Sequence, residues 1–436
     1  MRSFGLDFGT TNSAVAAVGP GPGDGVQLAR FDNPVGAGAL STFRSLLYFD
    51  PEVVDRRGRS EPFAGPHAIK QYLLRGSDGR LIQSLKSYLA SRLFTQTTIH
   101  GTAYKLEALI ALILRAIRSD AEKTLGPLGS KVVVGRPVRF VGAESPEDEQ
   151  LALTRLTAAL AAAGFDEVTF EYEPVAAAYH YASQLDHDEL VLVADFGGGT
   201  SDFCLCRVGR SASAAPMGRE QILGTGGVGL AGDTFDGDLV WHVVAPALGL
   251  GSTYRAPFST RAIEVPNWIY GKLRRWHHIS FLKSRDTMEF LNTMQKQSLD
   301  PKKIEALIKV VDFDLGFALY RSVEACKVAL SSQSQVGFAF DDPDVEIHRP
   351  VTRKEFTGFI EDSLQAIGSC VDRLLEQSGI SRSQVDRVFM TGGSSLVPAV
   401  RAVFADRFGA DRLRSGDEFT SVGLGLALRA RDLARR

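Results

Sequence analysis

The apolar and polar positions of this chain alternate between the period of strands and the period of helices. At the N-terminus, two β-rich runs, Phe4–Phe8 and Ser13–Val18, flank a glycine turn. Apolar residues at i, i+3 and i+4 spacing then predict helical structure from residue 66 to about residue 125. The rest of this half is predicted to contain strand Lys131–Val134, helix Pro146–Ala163, strand Glu167–Tyr172 and helix Pro174–Gln184.

The second half of the chain opens in the same way, which suggests two copies of one α/β unit. Strands Glu189–Phe196 and Ser201–Val208 flank a second glycine turn. Region 246–301 is the least regular and is predicted to be an insertion without a clean period. The α/β order then resumes with helix 301–330, helix 351–377, strand Val385–Thr391, helix Val397–Phe408 and a final helix at about Thr420–Leu433.

Composition and charge exclude several classes of protein. The 436 residues carry 49 Lys and Arg against 51 Asp and Glu, and a net charge of -2 argues against a dedicated nucleic-acid binder. Four cysteines are too few and too scattered for a disulfide scaffold or a zinc site. The N-terminus has no signal-peptide pattern, and the longest apolar stretch, Leu106–Ile117, is too short to cross a bilayer. We therefore predict a cytoplasmic protein without nucleic-acid or membrane partners.

Both glycine turns carry the residue types that bind phosphates and a metal ion. In Asp7–Asn12, Gly9 lets the backbone approach a ligand, and successive N–H groups with the threonine hydroxyls form an anion nest. The aspartate at the strand end would hold a hydrated Mg²⁺ that phosphates share. An ordinary hairpin is the alternative, but the three consecutive glycines in Asp195–Asp202 favour phosphate binding. Neither turn is a Walker A loop or a Rossmann fingerprint, because no Gly-Lys-Ser/Thr follows and each turn leads into a strand.

A third glycine turn, in Met390–Pro398, leads into a helix. Its paired glycines would admit a base or a sugar–phosphate, and a plain strand-to-helix turn is the alternative. Segments Gly5–Ser13, Asp195–Asp202 and Met390–Pro398 resemble, in order and spacing, the phosphate-1, phosphate-2 and adenosine motifs of the Hsp70 nucleotide-binding domain. Three further segments resemble the same family, namely Glu173–Ala178, Gly229–Asp236 and Glu324–Ser331.

This resemblance implies an α/β protein with the actin-like ATPase fold. In that fold, two lobes built on ribonuclease-H-like units bind ATP or ADP with Mg²⁺ in the cleft between them. We expect lobe I to comprise residues 1–187, with the C-terminal helix within 412–436 packing back on it. Lobe II would comprise residues 188–411 and include the inserted outer subdomain at about 246–301.

The resemblance also assigns roles to single residues. Asp7 and Asp195 would hold the magnesium shell, and Asp202 would help to bind a monovalent cation such as K⁺. Glu173 would position water or metal, and Lys86 would stabilise charge near the γ-phosphate, its alternative being a surface position on an amphipathic helix. The predicted catalytic set is Lys86, Glu173, Asp195 and Thr200. The predicted phosphate-binding residues are Gly9, Thr10, Thr11, Asn12, Gly197, Gly198, Gly199 and Thr200. The predicted adenosine-binding residues are Glu324, Lys327, Val328, Ser331, Gly392, Gly393, Ser394 and Leu396.

Three departures from the family pattern modify these expectations. Val328 and Leu396 stand where the family has arginines that sandwich the adenine, so we expect weaker nucleotide binding, on the order of 1–100 µM. Pro137 matches the family's switch proline, but the relay arginine has no match, because Leu153 falls at that position and Arg155 two residues away. Because the sequence stops just after the last predicted lobe helix, we expect the protein to lack the family's peptide-binding domain and to resemble truncated bacterial Hsp70-like proteins.

Three functions fit these observations. The first is a slow Mg-dependent ATPase that acts as a chaperone-like or regulatory nucleotide switch. The second is a non-hydrolysing nucleotide-binding scaffold or actin-like filament protein, and the third is a small-molecule kinase of the same superfamily. The basic and aromatic stretch Trp268–Arg285 is expected to be one solvated face of an inserted helix, with a protein contact through this outer part of lobe II as the alternative. Nucleic-acid binding there, or a metal at His277 and His278, is less favoured.

Overall fold

The computed structural model describes residues 2–21, 23–56, 58–75, 78–209, 221–255, 261–275, 279, 282–416 and 419–435. This part of the chain forms two compact units. The first unit contains Met1–Gly232, Ala366–Leu396 and Val400–Arg436, and the second contains Asp233–Gln365 and Val397–Ala399. The division into lobes at residues 187 and 411 is a different partition and stays a prediction.

Both units contain strands and α-helices, numbered here in chain order. The strands are β1 (Ser3–Phe8), β2 (Asn12–Val18), β3 (Val26–Leu28), β4 (Phe43–Arg44), β5 (Leu46–Val54), β6 (Ser60–Ala64), β7 (Arg80–Gln83), β8 (Gln96–Ile99), β9 (Thr102–Lys105), β10 (Lys131–Arg136), β11 (Glu167–Tyr172), β12 (Glu189–Phe196), β13 (Ser201–Val208), β14 (Ile222–Val228), β15 (Thr253–Arg255), β16 (Ala262–Glu264), β17 (Gln335–Asp342), β18 (Val345–Thr352), β19 (Arg387–Thr391) and β20 (Leu413–Ser415). The α-helices are α1 (Gly65–Arg75), α2 (Leu106–Leu125), α3 (Pro146–Ala162), α4 (Glu173–Ala182), α5 (Gly232–Leu239), α6 (Asn267–Leu273), α7 (Arg285–Gln297), α8 (Pro301–Asp312), α9 (Gly316–Ser332), α10 (Arg353–Phe359), α11 (Glu361–Gln377), α12 (Pro398–Phe408) and α13 (Ser421–Ala434).

Two sheets of the first unit share one topology. The first sheet has the order β11-β10-β1-β2-β3, and the second has the order β20-β19-β12-β13-β14. In each sheet, the central strand pairs antiparallel with the next strand of its hairpin and parallel with a strand reached by a crossover. The repeated α/β unit that the two glycine turns suggest is therefore present, even though the two halves share little sequence outside the turns.

The last helix, α13, packs against β1 and α4 without room for side chains at the contact. A Cβ added to Gly425 would lie 1.7 Å from the carbonyl oxygen of Ala176 in α4, and one added to Gly5 would lie 2.3 Å from the backbone nitrogen of Ala427. Glycine is the only residue that allows such an approach, because every other residue carries a Cβ. These two glycines therefore bring the backbones of β1, α4 and α13 together.

Several predicted elements differ from the observed ones. The helix predicted over 66–125 is wrong in its middle, where β7, a short 3₁₀ helix at Leu85–Tyr88 and the β8–β9 hairpin lie between α1 and α2. The helix predicted at 301–330 is two helices, α8 and α9. The helix predicted at 351–377 is likewise two, because α10 ends at Phe359 and α11 begins at Glu361. The β17–β18 hairpin before them has no counterpart in the prediction.

The stretch predicted to be an irregular insertion is regular where it is described. Region 246–301 contains the β15–β16 hairpin and the helices α6 and α7, all within the second unit. Trp268 and Arg285 lie on different helices, so the single inserted helix predicted for this stretch is wrong. Several described basic residues of this stretch form ion pairs. Arg274 pairs with Asp238, Lys283 with Asp314 and Arg285 with Glu289. The predicted residues Trp276, His277 and His278 lie outside the described part of the chain.

Replacing Gly425 by alanine should destabilise the first unit, because the new Cβ overlaps the carbonyl of Ala176. We expect a loss of about 1–3 kcal/mol or more in the free energy of unfolding, measured by thermal or urea denaturation. Gly25→Ala is the matched control, since Gly25 is exposed and a Cβ there meets nothing within 4 Å. Equal stability of the two variants would contradict the close packing of α13 on α4.

Candidate functional site

The two glycine turns lie at equivalent positions of the two similar sheets. The last pairs of the hairpins are Phe8 with Ser13 and Phe196 with Ser201, so each turn spans four residues. The first turn needs glycine, because a Cβ on Gly9 would lie 2.0 Å from the carbonyl oxygen of Asn12. In the second turn, the Gly197 N–H donates to the carbonyl of Thr200 at 2.9 Å.

The fold brings these two turns together. A Cβ added to Gly199 would lie 3.5 Å from the hydroxyl oxygen of Thr10 and 3.7 Å from that of Ser87. Thr10 belongs to the first predicted phosphate turn, and Ser87 is the neighbour of Lys86. Ser87 was not among the predicted site residues, although its position next to Lys86 was a signal that could have found it. The glycines of the second turn leave an open backbone beside the hydroxyls of the first, as a phosphate cradle requires.

Lys86 and Glu173 form a buried ion pair beside the turns. Lys86 lies in the 3₁₀ helix after β7, and its ammonium donates to Glu173 Oε1 at 2.5 Å. Glu173 is the first residue of α4, where the helix dipole favours a negative charge. Both side chains are less than 10% exposed, at 7% and 9%. Lys86 is therefore not on the amphipathic helix surface that was its alternative placement.

Burial and the neighbouring charges shift the pKa values of Lys86 and of three aspartates in this cluster. Burial alone would lower the pKa of Lys86, but Glu173 and Asp7 outweigh that effect and raise it. Burial and then Glu173 raise the pKa of Asp7 to about 7, and the same two causes raise the pKa of Asp202 to about 7. Burial, with Glu173 and Asp7, also raises the pKa of Asp195 well above its ordinary value. One ammonium thus faces four carboxyl groups.

This donor set fits a cation. Mg²⁺ prefers oxygen ligands and keeps several of its own waters, so carboxylates around a hydrated ion are an ordinary arrangement. Within the described ranges, no group of three or more His, Cys, Asp or Glu side chains converges closely enough to chelate a metal directly. Asp7 and Asp195 are the residues that would hold the water shell of Mg²⁺, which would neutralise phosphate charge.

Asp202 has two fixed hydrogen-bond partners. Its Oδ1 accepts from the backbone N–H of Val138 at 2.7 Å, and the Thr200 hydroxyl also donates to it. In the sheet, Asp202 lies directly across from Asp195. Thr200, the last residue of the second turn, is itself buried.

The third glycine turn follows β19, the parallel neighbour of β12. Gly392 has a positive φ of 82°, and a Cβ there would lie 2.1 Å from the carbonyl oxygen of Phe196, so only glycine fits. The turn does not enter an α-helix directly, because a 3₁₀ helix at Gly393–Leu396 precedes α12. Ser394 is buried, whereas Leu396 is 44% exposed.

The remaining predicted adenosine residues lie on one face of α9 in the second unit. Glu324, Lys327, Val328 and Ser331 follow the i, i+3, i+4, i+7 spacing of a single helix face. Lys327 pairs with Asp236 at 2.7 Å, and Val328 is 63% exposed. Asp236 lies in a segment that supported the resemblance, but its pairing with Lys327 was not predicted, since the two residues are 91 positions apart.

A cavity of about 720 Å³ lies elsewhere in the first unit. Leu153 of α3, the residue at the expected relay position, lines this cavity together with Arg136, Arg139 and Arg373. The predicted nucleotide-binding residues are not among its lining residues. Arg155, two positions from Leu153, is buried and binds backbone carbonyl groups instead.

Comparison with known proteins gives the family. The family model described as Hsp70 protein matches residues 82–247 and 315–434, which is more than half of the chain. The chain belongs to the Hsp70 family, and this membership confirms the predicted α/β fold of the two-lobed actin-like ATPase type.

Curated relatives agree with this assignment. The chain is 24% identical over 433 residues to the chaperone protein DnaK of Thermotoga petrophila, and this match covers 99% of the chain and 59% of the relative. It is 23% identical over 435 residues to DnaK of Thermus thermophilus, with 98% and 60% covered. DnaK of Deinococcus proteolyticus is 24% identical over 452 residues, with 98% and 59% covered. The chain thus spans about three fifths of the length of these relatives.

None of the helices in the described ranges has the length and apolar character needed to cross a bilayer.

The stability of the ligand-free protein should fall with rising pH because of Asp202. Its pKa is raised from 3.8 to about 7 in the folded protein, so the folded state binds this proton more tightly than the unfolded state. The resulting stabilisation is complete below about pH 4 and is lost as the pH rises through 7. Asp202→Asn keeps an acceptor for Val138 and removes the charge. We expect it to raise the free energy of unfolding at pH 8 by on the order of 1–4 kcal/mol, with little gain at pH 4.

Thermal denaturation at both pH values, with a chelator and without nucleotide, measures this effect. Asp166→Asn is the control, because Asp166 is an exposed aspartate of the same unit. A gain of equal size at pH 4 and pH 8 would show that charge burial at Asp202 is not its cause.

Proposed function

We propose that this chain is an ATP-binding, chaperone-like protein that hydrolyses ATP slowly with Mg²⁺ and acts as a regulatory nucleotide switch. The observation that carries the proposal is the meeting of the two glycine turns beside the buried Lys86–Glu173 pair. Membership of the Hsp70 family and the similarity to DnaK proteins support it. A cytoplasmic location and use of K⁺ through Asp202 belong to the same proposal.

Each residue of the candidate site would have a separate role in ATP binding or hydrolysis. The backbone of Gly197–Gly199 and the hydroxyls of the first turn bind the phosphates. Bound Mg²⁺ supplies Lewis-acid neutralisation of phosphate charge. Lys86 stays protonated at neutral pH because carboxylates surround it, so it places a fixed positive charge where negative charge develops in the transition state. Glu173 orients the ammonium and offers a carboxylate that accepts a hydrogen bond from the attacking water.

A protein contact through the second unit is a secondary proposal. Trp268 in α6 is 47% exposed, and the ammonium of Lys272 lies 5.2 Å from the centre of its ring. Partly exposed tryptophan with a nearby cation is typical of protein interfaces.

ATP turnover with Mg²⁺ and K⁺ tests the main proposal. We expect turnover above buffer for the wild type, and a loss on the order of 10²–10³-fold for Lys86→Ala and for Asp195→Asn, because each removes electrostatic stabilisation. Calorimetry should show that Lys86→Ala still binds ATP. Lys131→Ala is the matched control, since Lys131 pairs with Glu167 at the surface and both side chains are more than 60% exposed, at 68% and 67%.

The alternatives are outcomes of the same experiment. Nucleotide binding without turnover in the wild type would favour a scaffold or filament protein. Phosphate transfer from ATP to sugars or polyols would favour a small-molecule kinase. Absence of both binding and turnover would remove the nucleotide proposal altogether.

ATP affinity should be modest because Val328 and Leu396 replace stacking arginines. We expect a dissociation constant on the order of 1–100 µM by calorimetry. The double variant Val328→Arg, Leu396→Arg should bind ATP more tightly by about 1–4 kcal/mol. Both positions are exposed enough to accept arginine, and Val35→Arg at a 50% exposed valine is the control. Low-nanomolar affinity of the wild type would contradict this explanation.

A further inference from the structure

The short segment that carries Lys86 does not hold its own shape. It begins at Ser84, a buried serine in the left-handed region with φ 56° and ψ 28°. Non-glycine residues adopt this conformation only where surrounding structure enforces it. The 3₁₀ helix that follows, Leu85–Tyr88, has four residues and no side-chain cap. Its geometry is therefore imposed by contacts from elsewhere in the fold.

One arginine supplies such contacts at the end of this segment. The Nη1 of Arg155 donates to the carbonyl oxygens of Tyr88 at 3.3 Å, Leu89 at 3.1 Å and Ser91 at 2.7 Å. The Leu89 N–H in turn donates to the carbonyl of Lys86 at 3.2 Å. The guanidinium is thus linked to Lys86 through a single residue, Leu89.

Arg155 is itself held rigidly. It projects from α3, is 8% exposed, and its Nε lies 3.4 Å from Glu107 Oε1 of α2. The carboxylate compensates the buried positive charge, as a buried ion needs. Because a guanidinium is planar and its donors have fixed directions, it sets the positions of the carbonyls it binds.

We propose that Arg155 is a positioning residue for Lys86, holding the 3₁₀ segment so that the ammonium points at Glu173. This inference rests on the proposed function, in which Lys86 acts in ATP hydrolysis. The predicted site residues do not include Arg155. The proposal therefore adds that a side chain of α3, paired with one of α2, fixes the geometry of the segment that carries Lys86. The partners of Arg155 in these hydrogen bonds belong neither to the glycine turns nor to the predicted adenosine residues.

Arg118 provides a matched control. It projects from α2, pairs with Glu122 and donates to the carbonyls of Gly164 at 2.5 Å and Leu128 at 2.7 Å. Arg118 therefore also uses its guanidinium to bind backbone carbonyl groups. One of these carbonyl groups follows the C-terminal end of α3, and neither is next to Lys86.

The experiment compares full-length Arg155→Lys, Arg155→Met and Arg118→Met with the wild type. At saturating ATP, we expect kcat to fall on the order of 10–10²-fold in Arg155→Met, with a smaller fall in Arg155→Lys, while the dissociation constant for ATP changes less than about threefold. Arg118→Met should lower the melting temperature and leave kcat at the wild-type value. If Arg155→Met does not fold, Arg155→Lys against Arg118→Met decides the question in the same way. If the wild type hydrolyses ATP, equal kcat in the Arg155 and Arg118 variants overturns the proposal.

Hydrogen exchange separates this proposal from the proposed function. Faster exchange of the amides at residues 85–91 in the Arg155 variants, and not in Arg118→Met, supports the positioning role even if the wild type has no ATPase activity. Wild-type turnover equal to buffer removes the ATPase function only. Unchanged exchange at residues 85–91 in the Arg155 variants overturns the positioning role whatever the turnover.

Discussion

The first unit is organised around one buried ammonium among carboxyl groups. Lys86 pairs with Glu173. The carboxyl groups of Asp7, Asp195 and Asp202 also interact electrostatically with Lys86. Burying charge is expensive unless opposite charges compensate it, and here the negative groups outnumber the positive one. Binding of a further cation would stabilise the ionised form of these carboxyl groups. The tendency of the site to bind a cation therefore follows from its charge balance, independently of family membership.

The repeated sheet explains why this charge balance is possible. In each sheet, an aspartate is the last residue but one of the central strand, and a four-residue turn follows the strand, so one topology places Asp7 and Asp195 at equivalent positions. The two turns differ in their amino-acid composition. Threonine hydroxyls fill the first turn, and three glycines leave open backbone in the second. The repeated topology places the two turns, and the local sequence determines which chemical groups each turn presents.

Sequence reasoning predicted the features whose signals are local. Glycine turns between β-rich runs are visible in a short window, and all three turns are present. Lys86 and Glu173 are 87 residues apart, so no local pattern could show their contact, and only the family resemblance nominated the lysine. The helix over 66–125 failed because Leu81, Ile82, Leu85 and Leu89 continue a helix-like apolar spacing through elements of only four residues. The β17–β18 hairpin did carry a signal, since its buried positions Phe338, Phe340, Val345 and Ile347 alternate on either side of a turn.

The close packing of α13 has a consequence for the order of events on the ribosome. Gly425 and Ala427 of this helix complete the contact with α4 and with Gly5 of β1, which lies at the opposite end of the described chain. The chain of the second unit emerges between these partners and can bury its own core earlier. The surface of β1 that α13 covers therefore stays exposed until α13 has been synthesised, after the second unit. Exposed apolar surface and unpaired strand edges of this kind make incomplete chains prone to aggregation, so synthesis of α13 removes a risk that lasts through most of translation.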